Sequence, residues 1–373
     1  MIRTLILPLM LGASLFAPQV GFAQVLERDI ETLEKARVLS VVDQGIQQIP
    51  GTDVADRAQL LSAEVLTGEE KGKVVSFRND FTQLEEGDLF YLRHLVSPTD
   101  GTEFYSVADP YRLNVLIGLA VVFVFLVFLF GGLQGMRGLL SLVGSLLLIF
   151  YVLLPGISSG LSPVFVAIGV ASLIIIVGSY ITHGFTRTTT AAVIGMISTV
   201  VVTGLAAWLV VDMAALSGYG SDESVYLRFQ SGGTIDLIGV LLGGILIGLL
   251  GVLYDSAIGQ AVAVEELLRI GGSVSKKEVY LRALRIGREH IGALVNTLAI
   301  AYVGASLPLF LLLQYSSASA GYIVNGEVFA TEIVRILIGS IGLVLAVPVT
   351  TLIAVYLIRP TQNPRDTMQA HKH

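Results

Sequence analysis

The sequence contains no cysteine, and only 14% of its 373 residues are charged. The lack of cysteine excludes disulfide bonds, thiolate metal sites and cysteine nucleophiles. Soluble domains carry about 25% charged residues, so the low charge argues against an ordinary soluble protein. Because 54% of the residues are hydrophobic, the composition instead predicts a membrane protein.

Two common enzyme signatures are also absent from the sequence. There is no Gly-x-x-x-x-Gly-Lys phosphate loop, which argues against direct use of ATP, and there is no His-Glu-x-x-His zinc motif. We therefore expect no enzymatic activity, no cofactor, no metal site and no binding of nucleic acid.

The first 23 residues have the features of a secretory signal peptide. Arg3 precedes an apolar stretch, Leu5–Phe16, and the small residues Gly21 and Ala23 favour cleavage after Ala23. The alternative is an uncleaved N-terminal anchor. Either kind of segment would place the residues that follow outside the cytoplasm.

Residues 24–112 are polar and acidic, with 17 acidic and 9 basic residues. Val25–Val38 has the spacing of a helix. Turn residues then separate five short runs typical of β-strands: Arg37–Val42, Ala58–Leu66, Lys73–Phe77, Asp88–Leu95 and Glu103–Val107. We predict a small β domain of OB-fold or SH3 size, in which no group of ligand residues is recognisable.

From Leu113 the sequence becomes apolar, and several runs exceed the ~20 residues needed to cross a bilayer as a helix. Seven candidate spans follow: Leu113–Leu133, Leu139–Leu154, Pro163–Thr182, Ala191–Val210, Ile235–Tyr254, Ile291–Leu313 and Ile333–Ile358. Residues 113–358 are therefore predicted to form a transmembrane helical bundle. Residues 359–373 would form a cytoplasmic tail.

The distribution of basic residues predicts how the chain is oriented. If residues 24–112 lie outside, the inner segments carry 11 basic residues, and the later outer loops carry only Arg228, with Arg335 just inside the seventh span. The inner residues are Arg137, Arg187, Arg269, Lys276, Lys277, Arg282, Arg285, Arg288, Arg359, Arg365 and Lys372. We expect a plasma-membrane protein with its N-terminal domain outside and its C-terminus in the cytoplasm.

Most of the charge in the membrane part lies in one stretch, Tyr254–Ser306. Asp255 and Glu266 are 11 residues apart, about three helical turns, and so share one face of a helix. Arg288 follows on the next predicted helix. Because ionisable groups at membrane depth often mark pathways, the three charges suggest a binding site or gate. The alternative is that the two carboxylates are interfacial charges that balance nearby arginines.

Three further polar residues in this stretch are candidates for the same site: Asn296, Thr297 and Tyr302. Polar groups in hydrocarbon need partners, so Asn296 and Thr297 either form hydrogen bonds between helices or line a polar path. His290 is a single histidine without recognisable ligand partners, and we expect it at the level of the lipid headgroups.

Glycine pairs mark the fifth span as a close-packing helix. Gly-x-x-x-Gly spacing occurs at Gly239/Gly243 and again at Gly244/Gly248. Such spacing lets the backbones of two membrane helices approach each other, but it says nothing about function.

The same stretch carries a longer pattern. It consists of Asp255, Glu266, Gly287-Arg288, Asn296-Thr297-Leu298, Tyr302 and Gly304. In this pattern the chain resembles the YibE/F family of bacterial membrane proteins, and Asn79, Gly87-Asp88 and Arg112-Leu113 fit that family too. Two departures are Glu289, where an Asp is expected, and Gln260, within a run of small and apolar residues. The resemblance implies a small β domain followed by a membrane bundle in the bacterial inner membrane. It carries over no activity and no catalytic residue.

Two functions fit these observations. The first is a transporter or permease of unknown substrate, in which Asp255, Glu266, Arg288 and Asn296 line a cytosolic-side site for a cation or a proton. The second is a non-transporting scaffold or accessory subunit whose outer domain binds an envelope partner. The expected partners are the lipid bilayer, the cation or proton, and an envelope protein or a second copy of the chain.

Overall fold

The computed structural model describes residues 30–48, 55–98, 100–270 and 274–359. The predicted signal peptide and nearly all of the predicted tail lie outside these ranges. The chain divides into two compact units between Phe123 and Val124, and each is described by itself.

The N-terminal unit contains one five-stranded antiparallel sheet. Its strands are β1 (Ile30–Gln48), β2 (Ala55–Val65), β3 (Val74–Asn79), β4 (Leu89–Val96) and β5 (Glu103–Pro110). The strand order is β3-β2-β1-β4-β5, with the long first strand in the centre. The sheet curls into a half-barrel, and the segments at its two edges meet where the Lys73 ammonium lies 2.7 Å from the Tyr105 hydroxyl.

The predicted helix over Val25–Val38 is wrong where the structure describes it, since Ile30–Gln48 is a strand. Along this strand the burial alternates: Glu34, Ala36 and Val38 are buried, whereas Leu33 is 58% exposed. Residues at every second position of a strand face the same side, so burial of this kind follows from the pleat of the sheet. The helical spacing of Leu26, Ile30 and Leu33 does not decide the structure of this segment. The segment forms a strand because it pairs with β2 on one side and with β4 on the other.

A compact apolar core fills the concave side of the half-barrel. Phe90 and Leu92 of β4 and Leu61 of β2 are fully buried there, together with smaller residues of the central strand. The register of β1 against β2 shifts at two places, between Val38 and Ser40 and between Asp43 and Ile46. Such irregularities bend a strand and let a sheet close around its core.

Ten helices and one π-helical turn follow in the described part of the chain. They are α1 (Leu113–Leu148), the π-turn Ile149–Leu153, α2 (Leu154–Ser158), α3 (Pro163–His183), α4 (Arg187–Met213), α5 (Asp222–Gln230), α6 (Leu237–Ile270), α7 (Lys276–Ala305), α8 (Leu307–Tyr315), α9 (Ala320–Asn325) and α10 (Glu327–Leu357). Two of the longer helices begin with a side-chain cap. Thr186 accepts from the Thr189 amide at the start of α4, and Ser275 accepts from the Glu278 amide at the start of α7.

Five of these helical segments are long and apolar enough to cross a membrane. They are Leu113–Ser158, α3, α4, α6 and α10. A sixth crossing results if α7 and α8, which meet at an angle of 63°, together form one broken span. The first two of the seven predicted spans fall in the single helical run Leu113–Ser158, whose backbone leaves helical values at Gly132.

The core of the bundle lies where α4, α6 and α10 pack against one another, with α3 and α7 on their flanks. Small and medium side chains dominate this core, including Ala191, Met196, Leu246, Ala257 and Ala346. By contrast, no residue of α1 is buried. Lipid-facing apolar helices have this exposure pattern, since lipid supplies the apolar surroundings that a soluble protein must supply itself.

Candidate functional site

A cavity of about 240 Å³ opens between α6, α7 and α10. Most of its wall is apolar, but four of its lining side chains carry hydrogen-bonding groups. The lining residues are Asp255, Ser256, Gly259, Gln260, Ile286, His290, Leu294 and Val347. Two ionisable side chains, Asp255 of α6 and His290 of α7, line this cavity, and both are exposed.

Asp255 also borders a second cavity, of about 540 Å³, on another side of α6. This larger chamber lies between α1, α3 and α6. Its lining residues include Ser141, Ser145 and Thr182. Within the described ranges, the Asp255 carboxylate forms neither an ion pair nor a hydrogen bond. A carboxylate without a partner therefore faces both chambers.

Two neighbours of Asp255 carry hydroxyl groups that also lack partners. The Tyr254 and Ser256 hydroxyl oxygens are buried, and neither has a hydrogen-bond partner in the part of the chain that the structure describes. Buried polar groups normally find a partner in protein or water, and an exception requires an explanation. Tyr254 borders the larger chamber and Ser256 the smaller one, so these two hydroxyls lie on different sides of Asp255.

The inner wall of the smaller cavity is fixed by a contact between helices. The Thr351 hydroxyl of α10 lies 2.9 Å from the Gln260 amide oxygen and 2.6 Å from the Val347 carbonyl oxygen of its own helix, so the two oxygens share one hydroxyl donor. Both Thr351 and Gln260 are buried. Gly287 of α7 lies directly against the same Gln260 amide, and a Cβ at position 287 would come within 2.5 Å of Val347. The absence of a side chain at Gly287 therefore lets α7 approach the Gln260–Thr351 pair.

Gln260, which stands out in the sequence as a departure from an apolar run, has a structural role in this arrangement. Its side chain connects α6 to α10 at the base of the cavity that holds Asp255 and His290. A small apolar residue at this position could not form that hydrogen bond.

Glu266 and Arg288 do not join Asp255 in the cavity. The Glu266 carboxylate pairs with Arg269 on its own helix at 2.6 Å, with about half of each side chain exposed. Arg288 is exposed and forms no ion pair among the described residues. The predicted grouping of Asp255, Glu266 and Arg288 is therefore not seen, although Asp255 and Glu266 do lie on one continuous helix.

The polar residues further along α7 are not brought to the cavity either. Asn296 and Thr297 are exposed, and the Thr297 hydroxyl donates to the Ala293 carbonyl at 2.9 Å within its own helix. Tyr302 lies against Gly248 of α6, and its ring centroid is 5.9 Å from the Arg335 guanidinium of α10. Arg335 in turn pairs with Glu332 at 2.8 Å.

The four packing glycines of α6 face different neighbours. A Cβ at Gly239 would lie 2.9 Å from Pro163, and a Cβ at Gly243 would lie 3.2 Å from Ala167, so this pair faces α3. Gly248 faces Tyr302 of α7. Gly244 has nothing within 4 Å of its Cβ position.

His290 is the second ionisable residue of the cavity. The sequence predicts it at the level of the lipid headgroups, and its depth in a membrane stays a prediction. It lines the chamber together with Ile286 and Leu294. These three positions are four residues apart and therefore share one face of α7. That periodicity is visible in the sequence, but which helix this face meets is not.

Comparison with known proteins supplies a family for the chain. Residues 119–360 match the family model described as YibE/F-like protein. The match includes the whole stretch Tyr254–Ser306 and begins after the β domain, so it supports the membrane part of the predicted resemblance. The searches of curated proteins and of solved structures gave no match.

Proposed function

Since the chain belongs to the YibE/F-like protein family, and five of its helices are long and apolar enough to span a membrane, we propose that it is a transporter or permease. The substrate-binding group is the Asp255 carboxylate, and the bound species is a small cation or a proton. The remaining determinants of the substrate lie in the two chambers that this carboxylate faces.

The observation that carries the proposal is the lack of any partner for Asp255. Placing a carboxylate within an apolar helix is costly unless an opposite charge or hydrogen bonds offset the loss of water. Nothing among the described residues offsets it at Asp255, whereas Glu266 and Glu332 each have an arginine. A transported cation or proton would neutralise Asp255 while it is bound.

The site that we propose is smaller than the one expected from the sequence. It consists of Asp255, Ser256 and His290, with the Gln260–Thr351 contact holding α6 and α10 together beside them. His290 supplies a second polar side chain to the wall of the same cavity. Arg288 lines neither of the two chambers, which argues against its role as a counter-charge.

The Asp255→Asn substitution should abolish most of the transport. The amide has nearly the shape of the carboxylate but lacks its charge, and hydrogen bonds to charged groups are worth about 1.5–3 kcal/mol, so we expect at least about a tenfold loss of flux. Ion and metabolite profiling of a strain that lacks the protein would first identify the species that accumulates or is depleted. Flux of that species is then measured in proteoliposomes.

Glu265→Gln is the matched control for this experiment. Glu265 lies on the same helix, is exposed and does not line either cavity. Flux of the Glu265→Gln protein should equal that of the parent protein. Equal flux in the Asp255→Asn protein, at equal protein content of the vesicles, would remove Asp255 from the mechanism.

We also propose that the β domain lies outside the bacterial plasma membrane and that the C-terminus is cytoplasmic. The support is the excess of basic residues in the predicted inner segments. Because the chain has no cysteine, a single introduced thiol is its only thiol. A membrane-impermeant maleimide should label Glu69→Cys in intact spheroplasts, and should label Lys276→Cys only after the membrane is opened. The reverse pattern would contradict the orientation.

A second candidate function is a scaffold or accessory subunit, and one observation favours it. The apolar helix α1 has no buried residue, so most of its surface is available to lipid, an envelope protein or a second copy of the chain. Crosslinking followed by purification distinguishes the two functions. A stoichiometric protein partner together with no flux of any profiled species would support the scaffold.

A further inference from the structure

Three side chains that can bind metal ions meet at the edge of the half-barrel. Glu70 lies in the segment between β2 and β3, His94 lies on β4, and Glu103 begins β5. Each offers one ligand atom, and these atoms all lie within 4.8 Å of one another. Three separate segments of the chain therefore bring two carboxylates and one imidazole together.

His94 is the member of this group whose position most needs an explanation. The residue is only 8% exposed, and its Nε2 atom is buried without a hydrogen-bond partner among the described residues. That nitrogen lies 3.5 Å from a Glu103 carboxylate oxygen, and Nδ1 lies 3.7 Å from a Glu70 carboxylate oxygen. Stacking on Tyr105, with ring centroids 4.5 Å apart and planes at 12°, fixes the direction in which the imidazole points.

We propose that Glu70, His94 and Glu103 form a binding site for one divalent transition-metal ion. Two carboxylates and an imidazole are typical ligands of zinc and of neighbouring first-row metals, and three protein ligands leave one position open to water. The imidazole disfavours calcium and magnesium, which prefer oxygen ligands. The site is separate from the membrane cavities, and this proposal does not depend on the proposed transport.

The spacing of the ligand atoms is close to what a metal ion requires. Two ligands held at ~2.0–2.1 Å by a tetrahedral zinc ion lie about 3.3 Å apart. The observed 3.5 Å between His94 Nε2 and the Glu103 oxygen nearly meets this value. Glu70 lies nearest to the other ring nitrogen, Nδ1, at 3.7 Å, so its side chain must rotate toward Nε2 for all three residues to bind one ion.

The charges around the site prepare it for a cation. A hydrogen bond from Lys73 holds the pKa of Glu70 below its usual range, and a hydrogen bond from Tyr105 does the same for the pKa of Glu103. Burial raises the pKa of the Tyr105 phenol to about 12, so this group stays a neutral donor. Both carboxylates are therefore ionised at neutral pH.

In this structure the positive charge of Lys73 partly neutralises the two carboxylates. Its ammonium lies 2.7 Å from Glu70 and 3.4 Å from Glu103, and the side chain is 41% exposed. Two carboxylates and one ammonium together carry a net charge of −1. A divalent ion would displace the ammonium, which can turn outward into water, so Lys73 acts as a built-in competitor of the metal.

The experiment uses the full chain in lipid nanodiscs, purified without a histidine tag. His371 and His373 are first replaced by glutamine, because histidines near the end of the chain can bind zinc themselves. Titration with Zn²⁺ against a fluorescent chelator should show one equivalent of micromolar or tighter binding. His94→Gln and Glu103→Gln should each weaken it at least about tenfold, and Co²⁺ should give a visible spectrum that both variants lose.

Two further variants separate a metal site from a simple cluster of ion pairs. Glu69→Gln changes an exposed carboxylate next to Glu70 and should leave zinc affinity unchanged. Lys73→Met removes the competing ammonium and should tighten zinc binding. The proposal is overturned if the parent protein binds no zinc, or if Glu103→Gln, whose parent side chain is half exposed, keeps full affinity. Weaker zinc binding in Lys73→Met would equally contradict it.

Discussion

Replacement of Gly195 by leucine should prevent the membrane bundle from assembling. Gly195 lies on α4 where this helix crosses α10, and a Cβ at position 195 would come within 2.9 Å of the Thr350 Cα atom. That neighbour is backbone and cannot rotate away. Even the Gly195→Ala variant should lose about 1–3 kcal/mol of stability through overpacking. A leucine side chain would force the two helices apart.

A second glycine contact makes the interface between α4 and α10 sensitive to substitution at another point along its length. Gly342 of α10 packs against Thr203 of α4, and a Cβ at position 342 would lie 2.6 Å from the Thr203 hydroxyl oxygen. Each helix thus contributes one glycine and one threonine to the crossing. Such small residues let backbones approach closely where no hydrophobic effect drives helices together in lipid.

The measurement is the yield of monodisperse protein in detergent and its thermal unfolding midpoint. Gly244→Leu is the matched control, because Gly244 also lies in a spanning helix, is exposed and has nothing within 4 Å of its Cβ position. We expect normal yield from Gly244→Leu and almost none from Gly195→Leu. Similar yields of the two variants would show that α4 and α10 do not pack as described.

The Phe90→Ala substitution should cost the β domain about 3–5 kcal/mol. Phe90 is fully buried on β4, and its ring packs 6.2 Å from that of Phe77 on β3. A domain of this size has a stability of only about 5–15 kcal/mol, so the loss is a large fraction of the total. Backbone amides of β1 and β4 that exchange only on unfolding should exchange roughly two to four orders of magnitude faster.

Phe104→Ala provides the comparison for hydrogen exchange. Phe104 is on β5 of the same sheet, but its side chain is 59% exposed. Removing it leaves no cavity, and we expect its exchange rates to stay within about threefold of those of the parent protein. If both variants exchange alike, Phe90 is not in the core.

The strands of the β domain could be predicted because their signals are local. Turn residues bound β2 to β5, and alternating burial follows the two-residue period of a strand. The beginning of β1 was misassigned because Leu26, Ile30 and Leu33 have helical spacing. Whether this segment forms a helix or a strand depends on its pairing with β2 and β4. Both strands come later in the chain, so the spacing of residues within the segment cannot predict the outcome.

The candidate site shows the same division between local and distant information. Asp255 could be selected from the sequence because a carboxylate next to an apolar span is unusual. Its neighbours His290 and Gln260 could not, because the rotation of α7 against α6 and α10 is set by Gly287 and Thr351. The Glu70, His94 and Glu103 group escaped notice because its members lie on three separate segments.

The number of membrane crossings is known less finely than the sequence predicts. The sequence predicts seven spans, and the structure supports five, or six if α7 and α8 are counted as one broken span. The first two predicted spans, Leu113–Leu133 and Leu139–Leu154, divide close to Gly132, where the backbone leaves helical values and two helices meet at a kink. The count of seven therefore stays a prediction.

The break at Gly132 divides the first helical run into two shorter helices. As a straight helix, the 46 residues of Leu113–Ser158 would extend about 69 Å, more than twice the ~30 Å of a hydrocarbon core. Gly132 has φ 53° and ψ −142°, a backbone conformation that is essentially restricted to glycine. Any other residue there would strain the backbone. The division of this long apolar run into two helices therefore depends on one residue that has no side chain.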